Sequence, residues 1–203
     1  ELTNVSGIGI YTNDENGHGA HVSSIALSSA NTGGRDPKFI GVAPDAYLIS
    51  VKAFKADGSG TYLDVIRGIN WVVANKDLYN IRVMNLSFST PPRSYYWEDP
   101  LNQAVMAAWE AGIVVVASAG NTGPDPMTIG VPGNVPYVIT AGAMTDNYTP
   151  GASDDDTMAS FSAAGPTHEG FVKPDIVAPG GHMLGLMRND MQIAIDHPEF
   201  HDG

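Results

Sequence analysis

No cysteine occurs among the 203 residues, which excludes a thiol nucleophile, a zinc-thiolate site and a disulfide frame. Positive charge is scarce as well: 10 Lys and Arg stand against 22 Asp and Glu, a formal net charge of −12. Nucleic acid and anionic membrane surfaces would be repelled by such a chain, and the acidity itself reads as a solubility feature. No run of about 18 apolar residues is present, so no membrane-spanning helix is expected. Glu1-Leu2-Thr3-Asn4 holds neither an initiator Met nor a basic n-region, so the expectation is a chain that begins inside a larger protein or after processing. No strand leads into a GxGxxG turn and no GxxxxGK[ST] loop occurs, which leaves a nucleotide-binding reading without support.

What is present is a sequence 43% hydrophobic, in apolar segments that alternate with polar ones, enough for one sizeable core and one domain or most of one. Ala46-Tyr47-Leu48-Ile49-Ser50-Val51 reads as a strand. Residues 61–75 read as a helix, with Leu63, Ile66, Ile69, Val72 and Val73 near helical spacing. A second unit repeats the order: a strand over residues 83–88, then a helix from Pro100 to Ala111 that Gly112 stops. Residues 113–117 and 137–141 read as further strands. Strands apolar throughout and alternating with helices predict an α/β fold, a three-layer doubly wound and mostly parallel sheet with helices on both faces.

Chemistry is suggested first by Asn16-Gly17-His18-Gly19-Ala20-His21-Val22. A neutral imidazole is a good base near neutral pH, and glycines on both sides allow backbone and substrate to approach. Small and apolar residues continue through Leu27, which puts His18 in the first turn of a buried helix; the plainer alternative is that His18 only caps that helix. Asp57-Gly58-Ser59-Gly60, Ser87-Phe88-Ser89-Thr90 and Ser118-Ala119-Gly120-Asn121 each follow the carboxyl end of an expected strand, the edge along which open α/β sheets bind ligands. Any one of them alone would pass for an ordinary turn.

Metal-ligand patterns are weaker. Asp154-Asp155-Asp156 offers oxygen donors of the kind calcium takes, but a charge run without a cage reads as a solvated loop. His197 and His201 have an i, i+4 spacing, yet Pro198 interrupts it and no third ligand follows. They read as surface histidines.

Taken together, these residues resemble the subtilisin-like serine proteases. His18-Gly19-Ala20-His21-Val22 is similar to the family's HGTHV motif, Ala119-Gly120-Asn121 to its oxyanion asparagine motif, and Asp175-Ile176-Val177-Ala178-Pro179-Gly180 to its DVxAPG strand. Gly41-Val42-Ala43-Pro44, Asp57-Gly58-Ser59-Gly60, Asn85-Leu86-Ser87, Pro132-Gly133 and Phe161-Ser162 with Gly165-Pro166 occur in the family's order. The resemblance implies that His18 is the base and acid of an Asp/His/Ser triad, that His21 is structural, and that Asn121 donates its amide to the oxyanion. It implies an extended polypeptide substrate lying along Gly58, Ser59 and Gly60 on one side and Ser87, Phe88 and Ser89 on the other. The primary pocket would be walled by Ser118, Ala119 and Gly120 and by the segment around Gly133. No cofactor is required for this chemistry, a structural calcium ion stays unassigned, and a propeptide and an extracellular location follow the family's habit.

Departures from the pattern carry expectations too. None of the 17 residues before His18 reads as a strand ending in an Asp-Thr-Gly-like turn, and no Gly-Thr-Ser follows Gly180. Residues 1–203 are therefore expected to be the central part of one peptidase domain, lacking the segments that bear the catalytic aspartate and serine. Such a piece should be inactive alone and either marginally stable or self-associating. A non-catalytic, peptide-binding member of the same fold is the alternative. Phe88-Ser89-Thr90 stands where the family has a leucine and glycines, which implies altered specificity.

Overall fold

A computed structural model describes residues 2–4, 13–29, 39–149, 151 and 153–201. The chain divides into two compact units, one made of Glu1–Gly68 with Leu184–Gly203, the other of Ile69–Met183.

In the first unit a short strand β1 (Leu2–Asn4) pairs in parallel with β2 (Ser50–Lys52), Leu2 opposite Ser50. The strand expected over residues 46–51 is thus shorter and shifted. Only three residues find a partner strand, and Tyr47, which is fully exposed, lies ahead of them. Helix α1 (His18–Leu27) begins at His18. It is not the buried helix expected: His18 is exposed, and no residue of α1 is fully buried. Within it Ser24 accepts a hydrogen bond from Leu186 N at 2.8 Å and donates one to His21 O at 2.8 Å.

Helix α2 (Tyr62–Tyr79) runs four residues beyond the expected end at Asn75. It closes where Asn80 takes a left-handed conformation (φ 51°) and Ile81 N donates to Lys76 O at 2.8 Å, a left-handed cap that satisfies an otherwise unpaired carbonyl.

The second unit is organised by a five-stranded sheet. Strands β3 (Val83–Leu86), β4 (Val114–Ser118), β5 (Ile139–Thr145) and β7 (Ile176–Pro179) are parallel in the order β3-β4-β5-β7, and β6 (Thr157–Met158) pairs antiparallel with β5. The register sets Val83 opposite Val114 and Val116 opposite Ile139. Burial alternates along the strands, with Met84, Leu86, Val115 and Ala117 buried while Val83 and Val114 are exposed.

Helix α3 (Pro100–Glu110) explains its own boundaries. Asp99, almost fully buried, accepts hydrogen bonds from Leu101 N at 2.9 Å and Asn102 N at 3.1 Å, and Pro100 fills the first position, where no N–H is needed. At the far end Gly112 takes φ 86°, and Lys76 Nζ donates to Ala111 O at 2.7 Å. Leu101, Val105 and Ala108 of this helix are buried with Ile113 and Val115 in the core. Helix α4 (Gln192–Asp196) and a 3-10 turn (Pro198–Phe200) belong to the first unit.

Candidate active site

In the first unit, the turn that presents His18 is built by two neighbours. Gly17 sits ahead of α1 with φ 100°, a left-handed conformation that favours glycine, and a Cβ there would lie 2.9 Å from Met187 Sδ. The carboxylate that caps the helix comes from three residues further back. Asp14 Oδ1 accepts from Gly17 N at 2.9 Å and Asn16 N at 3.2 Å, while Oδ2 accepts from Ala20 N at 2.7 Å. These bonds satisfy N–H groups that the first turn leaves free and set a negative charge at the positive end of the helix. Asn16 then ties the turn to the loop after β2: its Oδ1 accepts from His18 N at 3.2 Å and its Nδ2 donates to Ala56 O at 2.9 Å.

That loop holds Gly58, Ser59 and Gly60. It closes through Gly58 N to Lys55 O at 3.0 Å and Lys55 N to Ser59 O at 2.9 Å. Asp57 accepts from both Ser59 N and Ser59 Oγ, and these two bonds hold its carboxyl below the usual range. Gly60 has no room for a side chain, since a Cβ would stand 2.6 Å from Phe54 Cδ1. His21 packs against the Gly185 backbone, where a Cβ would meet its ring at 2.4 Å.

In the second unit, Ser87, Phe88 and Ser89 follow β3, and Thr90 forms an antiparallel bridge with Val131, bonded in both directions at 3.1 and 2.8 Å. Ser118 ends β4, and Ala119, Gly120 and Asn121 follow. Gly120 takes φ 109°, its N donates to Ser118 Oγ at 3.1 Å, and Asn121 beyond it is exposed. The structure brings these segments together within this unit. A Cβ on either Gly120 or Gly130 would meet the Ser89 side chain at 2.9 Å, and Gly130 N donates to Ala119 O at 2.9 Å. Gly133 is pressed against Ser118, whose carbonyl oxygen lies 2.6 Å from where a Cβ would be, and Gly133 O accepts from Thr140 Oγ1 at 2.7 Å. Ala119, Ile129 and Ala163 form a small buried apolar cluster.

Asp175, which leads into β7, accepts from Thr140 N at 2.7 Å and from Lys173 Nζ at 2.6 Å. Its burial works to raise its pKa, but the Lys173 and Thr140 hydrogen bonds and the Lys173 charge prevail and lower it.

Sequence reading missed Asp14 and Asn16 as builders of the histidine turn, and Gly130 as a neighbour of Ser89 and Ala119. Asp14 carried a usable signal, an acidic residue just ahead of an expected helix start. Gly130 carried none, because its role comes from contact with Ser89, far off in sequence.

Among the described residues no three His, Cys, Asp or Glu side chains group as a metal site would need. Asp155 instead accepts from Thr149 Oγ1 at 2.8 Å, and His201 pairs with Asn189 Oδ1 at 2.8 Å. No helix among the described residues is long and apolar enough to cross a membrane.

Known proteins share this chain's pattern. The model of the Subtilase family, Peptidase_S8, matches residues 4–200. Serine protease AprX of Bacillus subtilis (strain 168) is 47% identical over 179 residues, covering 85% of this chain and 40% of AprX. Subtilisin DY of Bacillus licheniformis is 37% identical over 172 residues, covering 84% of this chain and 53% of that protein. The chain thus spans about half or less of the length of these two relatives. Among solved structures, Sphericase superposes with a TM-score of 0.75 at 26% identity, over 92% of this chain and 61% of that one. The S41 Psychrophilic Protease gives 0.73 at 25% identity, over 94% and 68%. Family match, relatives and α/β fold agree: the chain belongs to the subtilase family of serine peptidases, peptidase S8.

Proposed function

We propose that this chain supplies the general base, the oxyanion donor and the substrate-lining segments of a serine endopeptidase, with the catalytic aspartate and serine contributed by sequence outside these 203 residues. The observation that carries this reading is the build of the His18 turn, capped by Asp14 and tied by Asn16 to the loop of Gly58, Ser59 and Gly60, in a chain 47% identical to a serine protease.

In the reaction, serine Oγ attacks the peptide carbonyl while an imidazole nitrogen of His18 takes its proton. The carbonyl oxygen gathers negative charge, and the Asn121 amide donates a hydrogen bond to it there. The tetrahedral species collapses as His18 returns the proton to the leaving amine, and an acyl-enzyme remains. Water repeats the sequence: His18 deprotonates it, Asn121 again holds the oxyanion, and the acid leaves with serine regenerated. Gly58, Ser59 and Gly60 in one unit, and Ser87, Phe88 and Ser89 in the other, each bind a stretch of extended polypeptide through backbone groups. Ser118, Ala119, Gly120 and Gly133 wall a pocket for a large apolar side chain. Secretion and a propeptide in the full-length protein belong to the same reading, and the chemistry calls for no metal.

A fluorophosphonate probe tests it. The full-length protein should be labelled on serine, and the 203-residue chain alone should not. An unlabelled, proteolytically silent full-length protein would favour a peptide-binding role instead; stoichiometric labelling of the 203-residue chain would refute the assignment of the nucleophile.

A further inference from the structure

Two side-chain amides are sealed inside the second unit. Asn102, on the first turn of α3, is 0% exposed, and Asn134, in the loop before β5, is 1% exposed. Their neighbours in the core are apolar and equally buried, among them Leu101, Val105, Val131 and Val135. Asn102 Nδ2 donates to Asn134 Oδ1 at 3.0 Å, yet Asn102 Oδ1 has no partner among the described residues. A buried amide left half satisfied carries an uncompensated desolvation cost, and two apolar side chains of similar size would fill the same space without it. What an amide pair provides that an apolar pair does not is direction, one fixed distance and orientation between two elements.

The elements it joins are telling. Asn102 is itself held by the cap of α3, its N donating to Asp99 Oδ1 at 3.1 Å. Asn134 N donates to Gly130 O at 3.0 Å, closing the turn of residues 130–134. Thr140, also 0% exposed, donates from its Oγ1 to Gly133 O at 2.7 Å. The turn is therefore held by a side chain of α3 and by one of β5, and it is this turn that lies against Ser118 O and the Ser89 side chain. Substrate does not reach Asn102 or Asn134, because both are buried.

We propose that Asn102 and Asn134 are positioning residues, with Thr140 as the second tie, that fix the 130–134 turn as a wall of the substrate pocket and so set its preference for large apolar side chains. The inference rests on the protease reading above. Beside the buried Val131 and its backbone bridge to Thr90, the Asn102–Asn134 amide bond is the side-chain tie that links this turn to α3.

The test uses the full-length protease and two peptides that differ only at the residue before the scissile bond, phenylalanine or alanine. The double variant N102L/N134L removes the tie and keeps the branched shape of both side chains, and its fold is checked by thermal melting. The expected result is that the phenylalanine-over-alanine ratio of kcat/KM falls about tenfold, carried by a higher KM for the phenylalanine peptide, as a sub-ångström loss of positioning would give. For the alanine peptide kcat should stay within about twofold of the parent. Thr140→Val, nearly isosteric, removes the second tie and should lower the ratio in the same direction; it decides the matter if the leucine pair does not fold. A folded leucine pair, or failing that a folded T140V, with the parent ratio would overturn the inference while leaving the protease reading intact. A parent enzyme that cleaves neither peptide would overturn the protease reading and this inference with it.

Discussion

Replacing Lys173 by methionine tests how the segment before β7 is held. The Lys173 side chain is 2% exposed, and the ammonium has two partners, Val138 O at 2.8 Å and Asp175 Oδ2 at 2.6 Å. Methionine keeps most of the apolar stem and removes both bonds. Losing the bond to the Val138 carbonyl, whose residue is 3% exposed, costs about 1–3 kcal/mol, the range for a buried polar group left unpaired. The larger figures known for half of a buried ion pair do not apply, because the Asp175 side chain is 40% exposed and water screens what remains, so that term is at most about 1 kcal/mol. Against both stands the desolvation of an ammonium that the variant no longer suffers. The net expectation is a loss of about 1–3 kcal/mol at pH 7.

Acid dependence gives a second readout. Folded Asp175 has its pKa below the ordinary value of 3.8, so it binds a proton less readily folded than unfolded. The stability it contributes is present above pH 3.8 and fades as pH falls through its lower folded value. In Lys173→Met that depression shrinks, since only the hydrogen bonds from Thr140 still favour the carboxylate. Urea titrations of the full-length protein at pH 7 and through the acid range would show both effects. A variant within about 0.5 kcal/mol of the parent at pH 7, or one with the parent's acid dependence, would refute this account of the ion pair.

Three further outcomes follow from the structure. Asp14→Ala removes three hydrogen bonds at the start of α1 and should cost about 1–2 kcal/mol, with a fall in kcat that exceeds any rise in KM because His18 loses its fixed turn; unchanged kcat and stability would contradict the capping role. Asn121→Leu should leave KM nearly intact and lower kcat by about a hundredfold or more, a scale measured for this donor in subtilisin itself and not worked out from this structure; an unaltered kcat would remove Asn121 from the oxyanion role. The 203-residue chain alone should self-associate, because Val83, Val114, Ile139 and Ile176 are exposed on its sheet and Trp109 and Tyr137 stack in the open beside them; a monomer across the concentration range in sedimentation would contradict that.

The parts of the fold that were legible are those that the chain settles locally. Asp99, Pro100 and Gly112 mark both ends of α3 by cap, ring and left-handed φ, and the helix lies within a residue of its expected span. Strand limits were less legible because a partner decides them: residues 46–49 look like strand material, but β2 exists only where β1 lies opposite. The end of α2 was misplaced for a similar reason. Asn75 looks like a stop, yet its side chain donates back to Trp71 O at 2.8 Å and the helix runs on to the left-handed Asn80.

At the candidate site, the histidine turn and the glycine loops announced themselves through residue type and order. Their supports did not. Asn102 reads as an ordinary polar residue on a helix, and nothing near it in sequence shows that residue 134 will bury it and take its hydrogen bond. Gly130 likewise looks like a loop glycine until Ser89 is seen against it. Polar residues that act through distant partners leave no periodic trace.

The central claim, that His18 is the base of a serine peptidase, is tested most directly by comparing the full-length protein with its His18→Ala variant on one peptide substrate. The account predicts that the parent cleaves it and that kcat falls by at least about a thousandfold in the variant, with KM and the melting temperature little changed. A folded variant that keeps the parent's kcat would contradict it.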